Sequence, residues 1–118
     1  MHIIFLWHSN IWHADCNLVK MEERKIRIKE NSFFAKIAAM KLGVDQVALT
    51  LGETIHLHNT SAERFRSDAC WVKHELKHIE QFREYGFFRF IFLYTQEYIR
   101  KGYYHNRFEQ EARAAVME

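Results

Sequence analysis

Charged residues and isoleucines alternate from Lys25 to Lys29, the period of two expected of a strand with one buried face, and Ile26 and Ile28 are its inward positions. The period then changes. Asn31 or Ser32 caps a segment from Phe33 to Leu42 in which Phe33, Ile37, Ala38 and Met40 recur at helical spacing, and Gly43 ends it. Val47 to Leu51 and Thr54 to Leu57 are short and rich in branched residues, so the intervening Gly52-Glu53 predicts a hairpin with a tight turn. Helical period returns from Ser67 to Tyr85. Here Ser67 is the expected N-cap, Asp68 complements the N-terminal dipole, Val72, Leu76 and Ile79 share one face, and Gly86 lies beyond the end. A further amphipathic helix runs from Phe87 to Lys101 and ends at Gly102, and another begins near Asn106 and runs on to the end of the sequence. Residues 8–23 show no clear period.

This order of elements predicts an α+β domain over residues 24–118: a small antiparallel or mixed sheet packed on the helix at 67–85 and on two further helices, with residues 1–23 unassigned. A length of 118 residues suits one core, and 48% apolar residues with no proline exclude a disordered chain or proline-rich linkers. Basic and acidic residues are interspersed, 17 against 15, without a block that would neutralise a run of phosphates, so nucleic acid is not an expected partner. Cys16 and Cys70 are far apart and form no C-x-x-C pair; they read as two small buried thiols rather than a disulfide framework or a zinc ribbon. Met1 to Trp7 is apolar apart from His2, but it lacks a basic flank and a small-residue cleavage site, so no signal peptide is expected. Phe87 to Tyr94 is interrupted by Arg89 and too short to cross a bilayer. A soluble chain without a membrane span is the expectation.

The chemistry sits in His74-Glu75-Leu76-Lys77-His78. Histidines four apart on a helix project from one face, one turn above the other, and can reach the same metal ion. Glu75 lies about 100° round the helix from His74, which makes it a poor third ligand but lets it reach a water at the ion's open position, the place of a general base. Lys73 and Lys77 beside the histidines disfavour a dication unless they point to solvent. Without a metal, the same segment would be a surface helix with histidines among Glu/Lys pairs.

A catalytic zinc needs three protein ligands and one open position. An extension of the metzincin kind would require glycine and histidine where Gln81 and Glu84 stand, and is excluded. A glutamate on a later helix is the gluzincin alternative. The segment Asn106-Arg107-Phe108-Glu109-Gln110-Glu111-Ala112 offers two, which point about 200° apart, so only one can face the histidines. Glu109 is the chosen ligand and Glu111 is expected to face solvent. The same spacing also fits a capping box, with Asn106 as N-cap and Glu109 at the third helical position.

Three runs, Ala48-Leu49-Thr50-Leu51-Gly52-Glu53-Thr54-Ile55, His74 to Gln81 and Asn106 to Ala112, resemble a bacterial family of small zinc-peptidase-like domains of unknown function, related to the core domain found with contractile injection systems. The resemblance covers about residue 24 to the end. It implies a minimal zincin-like fold, zinc held by His74, His78 and Glu109, and Glu75 as the catalytic glutamate. In related gluzincins an acid four residues past the third ligand orients a histidine; here that position is Arg113.

His56 and His58 alternate with Leu57 and point to one side of a strand, where they could line a site or bind a second metal, though an ordinary strand pair explains them as well. Tyr103, Tyr104 and His105 precede Glu109, and one of them could donate to a developing oxyanion, unless they only pack at the helix junction. Three function classes follow: a zinc peptidase acting on a peptide or protein, a zinc-binding module with idle hydrolytic machinery, and a metal-free domain that binds a partner protein through Phe87, Phe88, Phe90 and Phe92. Those four phenylalanines are better read as core.

Overall fold

The computed structural model describes residues 26–117; the unassigned residues 1–23 lie outside that range. Three strands and five helices follow one another as β1 (Arg27–Lys29), α1 (Phe33–Leu42), β2 (Val47–Leu51), β3 (Thr54–His58), α2 (Ala62–Ser67), α3 (Ala69–Tyr85), α4 (Phe87–His105) and α5 (Arg107–Val116). The class is α+β, with a mixed sheet. Strand β3 is central, parallel to β1 and antiparallel to β2.

Leu51 pairs with Thr54, so the β2–β3 connection is the two-residue turn Gly52-Glu53. Gly52 takes a φ of 65°, the left-handed value that glycine adopts without penalty at the first position of such a turn. Arg83 reaches back from α3 and grips Glu53 through two bonds of 3.2 Å each. The period of two then sorts β2: Val47 and Leu49 join one core cluster, with α1 and Phe90, while Ala48 joins a second with Val72 and Ile79 of α3. Thr50 shares the Ala48 face and is therefore presented to α3.

Helix α1 has the expected limits, with Ser32 as N-cap and Gly43 at φ 67° closing it, but it is turned the other way from its large apolar residues. Ala35, Ala38 and Ala39 are buried, whereas Phe33 and Met40 are 68% and 72% exposed. Small side chains let the helix backbone approach the sheet, and that close approach leaves no room for phenylalanine or methionine underneath.

Helix α3 starts one residue later than its sequence suggests. Asp68 is the N-cap, its side chain accepting from the Trp71 amide at 3.1 Å, and Ser67 instead ends the short helix α2. Its buried face is centred on Trp71, His74, Glu75, His78 and Phe82, with Leu76 only half-buried. Helix α4 runs past Lys101 to His105, with a break at Gly102, whose φ is 77°. Of the four phenylalanines expected in the core only Phe90 is buried; Phe87, Phe88 and Phe92 are exposed. Cys70 is buried but is not a free thiol, a departure from the thiol reading. Among the described residues no helix is long and apolar enough to cross a membrane.

Candidate metal centre

Two helix starts place the site. Asp68 sets the register of α3, which brings His74 and His78 to its buried face one turn apart. Asn106 sets α5: its Oδ1 accepts from the Phe108 amide at 2.9 Å while its Nδ2 donates to the Tyr94 carbonyl at 3.2 Å. Glu109 falls in the first turn of α5, where the exposed N–H groups of the helix end favour a carboxylate.

The three side chains converge. His74 Nε2 lies 3.1 Å from Glu109 Oε1, His78 Nε2 lies 3.2 Å from the same oxygen, and the two Nε2 atoms are 3.2 Å apart. A tetrahedral ion about 2.0–2.1 Å from its ligand atoms separates them by about 3.3 Å. The triangle of two imidazole nitrogens and one carboxylate oxygen therefore has the edge length and the donor chemistry of three ligands to one metal ion. All three residues are buried, and they could hold a metal ion.

Glu109 and His78 are each held from behind. Tyr94 donates its hydroxyl to Glu109 Oε2 at 2.6 Å. Gln81, one turn beyond His78, places its Oε1 2.9 Å from His78 Nδ1 and donates through Nε2 to the Phe108 carbonyl at 3.1 Å and to Glu111 Oε1 at 2.9 Å. These contacts also bear on the capping-box reading of Glu109. The Asn106 amide donates to the Tyr103 carbonyl, and both Glu109 oxygens face Tyr94 and the histidines, so the reciprocal half of a capping box is not formed. Glu111 is exposed, as expected, yet it is the outer partner of Gln81.

Glu75 stands beside the triad with no exposure to solvent. Thr50 of β2 donates to its Oε1 at 2.5 Å, and Oε2 is buried with no partner. Burial raises the Glu75 carboxyl to about 8, against the pull of His78 and Thr50. Burial lowers His74 to about 4, which its hydrogen bond to Glu109 only partly offsets. Burial also opposes charge on His78, but Glu109 outweighs it and raises that imidazole to about 9. Glu109 would be raised by burial too, yet His78 and His74 hold it well below the usual carboxylate range. Glu109 thus favours charge on His78, while burial disfavours it on His74.

None of the remaining candidates belongs to the triad itself. Tyr104 and His105 are exposed, and Arg113 donates to the Tyr104 carbonyl and stacks on its ring. Tyr103 has a buried hydroxyl and packs with the second core cluster. His56 is buried with Nδ1 2.8 Å from the Ser32 hydroxyl, and His58 is half-buried; neither belongs to the triad. Sequence reasoning missed Thr50, Gln81 and Tyr94. The spacing of Gln81 three residues after His78 was a usable signal, since it puts both on one helix face; the other two depend on tertiary packing. No family model, curated protein or solved structure matches this chain.

Proposed function

We propose that the chain binds one zinc ion through His74, His78 and Glu109 and hydrolyses peptide bonds with Glu75 as general base, in a minimal zincin-like arrangement. The observation that carries this reading is the pairing of a ligand-shaped triangle with an adjacent carboxylate whose Oε2 is buried and unpaired. Leaving such an oxygen without a partner costs about 1–3 kcal/mol, a cost a purely structural helix has no reason to retain. Zinc in the triangle would supply a Lewis acid and a more acidic water. Glu75 Oε2 is the acceptor for the proton that the attacking water gives up, and the same carboxyl then returns it to the leaving amine. Thr50 keeps Oε1 occupied, so a single oxygen does this work. Gln81 and Tyr94 keep the ligand atoms aimed inward.

The burial of the whole triad favours a second reading, in which zinc is a closed folding element and no peptide is cut. Elemental analysis of the purified chain, together with cleavage of an unfolded protein by the parent and by Glu75→Gln, separates the two. About one zinc per chain with cleavage lost in the variant supports the peptidase; zinc without cleavage in either supports the closed site. No zinc and no uptake on titration would overturn both.

A further inference from the structure

We infer that Gln81 is a positioning residue for the metal, orienting His78 and coupling it to the helix that delivers Glu109; the inference rests on the zinc-site reading above. Gln81 is 1% exposed and every polar atom of its side chain is engaged. Its amide group has only one consistent orientation. The two groups beside Nε2, a carbonyl and a carboxylate, can only accept, so Oε1 must be the atom that faces His78 Nδ1. Rotating the amide by half a turn would set oxygen against two oxygens.

A carbonyl oxygen cannot donate, so Nδ1 of His78 carries the proton. Neutral His78 therefore has its lone pair on Nε2, the atom that faces His74 and Glu109. The other end of the amide holds α5 on both sides of Glu109, by the carbonyl of Phe108 just before it and by Glu111 just after. A rotation of the His78 ring thus pulls on the turn that carries the third ligand, and a displacement of that turn frees the ring. Arg113, at the position where an acid would otherwise orient a histidine, is turned away to the Tyr104 carbonyl and leaves that task open.

The test uses zinc alone as the probe on the full chain, with calorimetric titration and with thermal melts of the metal-free and zinc-loaded forms. Gln81→Met keeps the bulk of the side chain but none of its hydrogen bonds, and is expected to weaken zinc binding roughly 10–100-fold and to shrink the zinc-induced rise in melting temperature. Gln81→Glu sets two carboxylates side by side and should weaken binding as well. Adding Glu111→Gln to it returns a donor on that side while the Phe108 carbonyl still faces an oxygen, so affinity should recover part of the way from that of Gln81→Glu. A residue that only packs would lower both melts equally and leave zinc affinity unchanged, and that result overturns the inference while the zinc site stands. If Gln81→Met fails to fold, the double variant decides: recovery relative to Gln81→Glu supports the coupling, and no recovery overturns it. If the parent takes up no zinc, the site itself is refuted and this inference with it.

Discussion

Tyr94 and Glu109 meet hydroxyl to carboxylate at 2.6 Å, fifteen residues apart in the chain and both shut off from water. The bond occupies Oε2 and so assigns Oε1 to the histidines. Burial and the neighbouring Glu109 charge push the Tyr94 phenol well above its ordinary value, so it stays a donor at any working pH. Tyr94→Phe removes the hydroxyl and keeps the ring that packs on Phe90 and Phe108. Zinc affinity should fall by about tenfold or more, read by calorimetric titration; an unchanged affinity would show that the phenol does not hold the ligand.

Glu109→Gln and Glu111→Gln distinguish the two acids of α5. The first replaces a ligand oxygen with a neutral amide and should weaken zinc well beyond the roughly tenfold of an indirect effect. The second still offers an oxygen to Gln81 and should bind zinc as the parent does. A larger loss for the second variant would show that the wrong carboxylate is assigned.

The pH dependence has a definite sign. His78 is raised from 6.5 to about 9, so in the metal-free fold its proton stabilises fully below about pH 6.5, and that contribution is lost as pH rises through about 9. Glu75, raised from 4.5 to about 8, acts in the same direction, because the fold retains a proton that the unfolded chain has lost. His74, lowered to about 4, acts oppositely but only below about pH 6.5. Zinc must displace the His78 proton and so binds more tightly as pH rises. Calorimetric melts between about pH 6.5 and about pH 9 should show the metal-free form weakening while the zinc-induced increment grows. An increment that shrinks over that interval contradicts the proton assignment.

Glu75→Gln should keep its zinc and lose hydrolysis of an unfolded protein substrate. It should also flatten part of the decline in metal-free stability with pH, because the buried acid is replaced by a neutral group of the same shape. Full turnover by this variant would remove Glu75 from the mechanism.

The orientation of α1 has its own test. Ala38→Leu forces extra volume beneath the helix and should cost about 1–3 kcal/mol in urea unfolding. Met40→Lys, at a 72% exposed position, should fall within about 0.5 kcal/mol of the parent. The reverse ranking would mean that α1 presents its large side chains to the sheet.

Where local chemistry sets the outcome, the sequence was legible: the hairpin at Gly52-Glu53, the helix limits at Gly43 and Gly86, and the pairing of His74 with His78 all follow from residue type and spacing. Glu109 also meets the histidines, but setting aside the capping box needed the hydrogen bonds of Asn106 and Tyr94. The inward face of α1 was not legible, because helical spacing of Phe33, Ile37 and Met40 says which residues share a side and not which side faces the sheet. Asp68 against Ser67 was a competition between two good caps, decided by the short helix α2, which takes Ser67 as its last residue. Thr50 and Tyr94 were invisible because a hydroxyl on a strand and a phenol on a helix acquire their roles only when α3 and α5 pack against them.

The two-residue turn at Gly52-Glu53 has a consequence for how this chain tolerates length changes. Surface turns are ordinarily where insertions are absorbed without effect. In this one, a single added residue that slipped β2 against β3 would swing Thr50 to the opposite face and bring Leu49 or Leu51 to Glu75 in its stead. The carboxylate would exchange a hydroxyl donor for a hydrocarbon wall, and its proton would be harder still to remove. The length of a hairpin loop is thereby as tightly bound to the charge state of the site as any side chain that lines it.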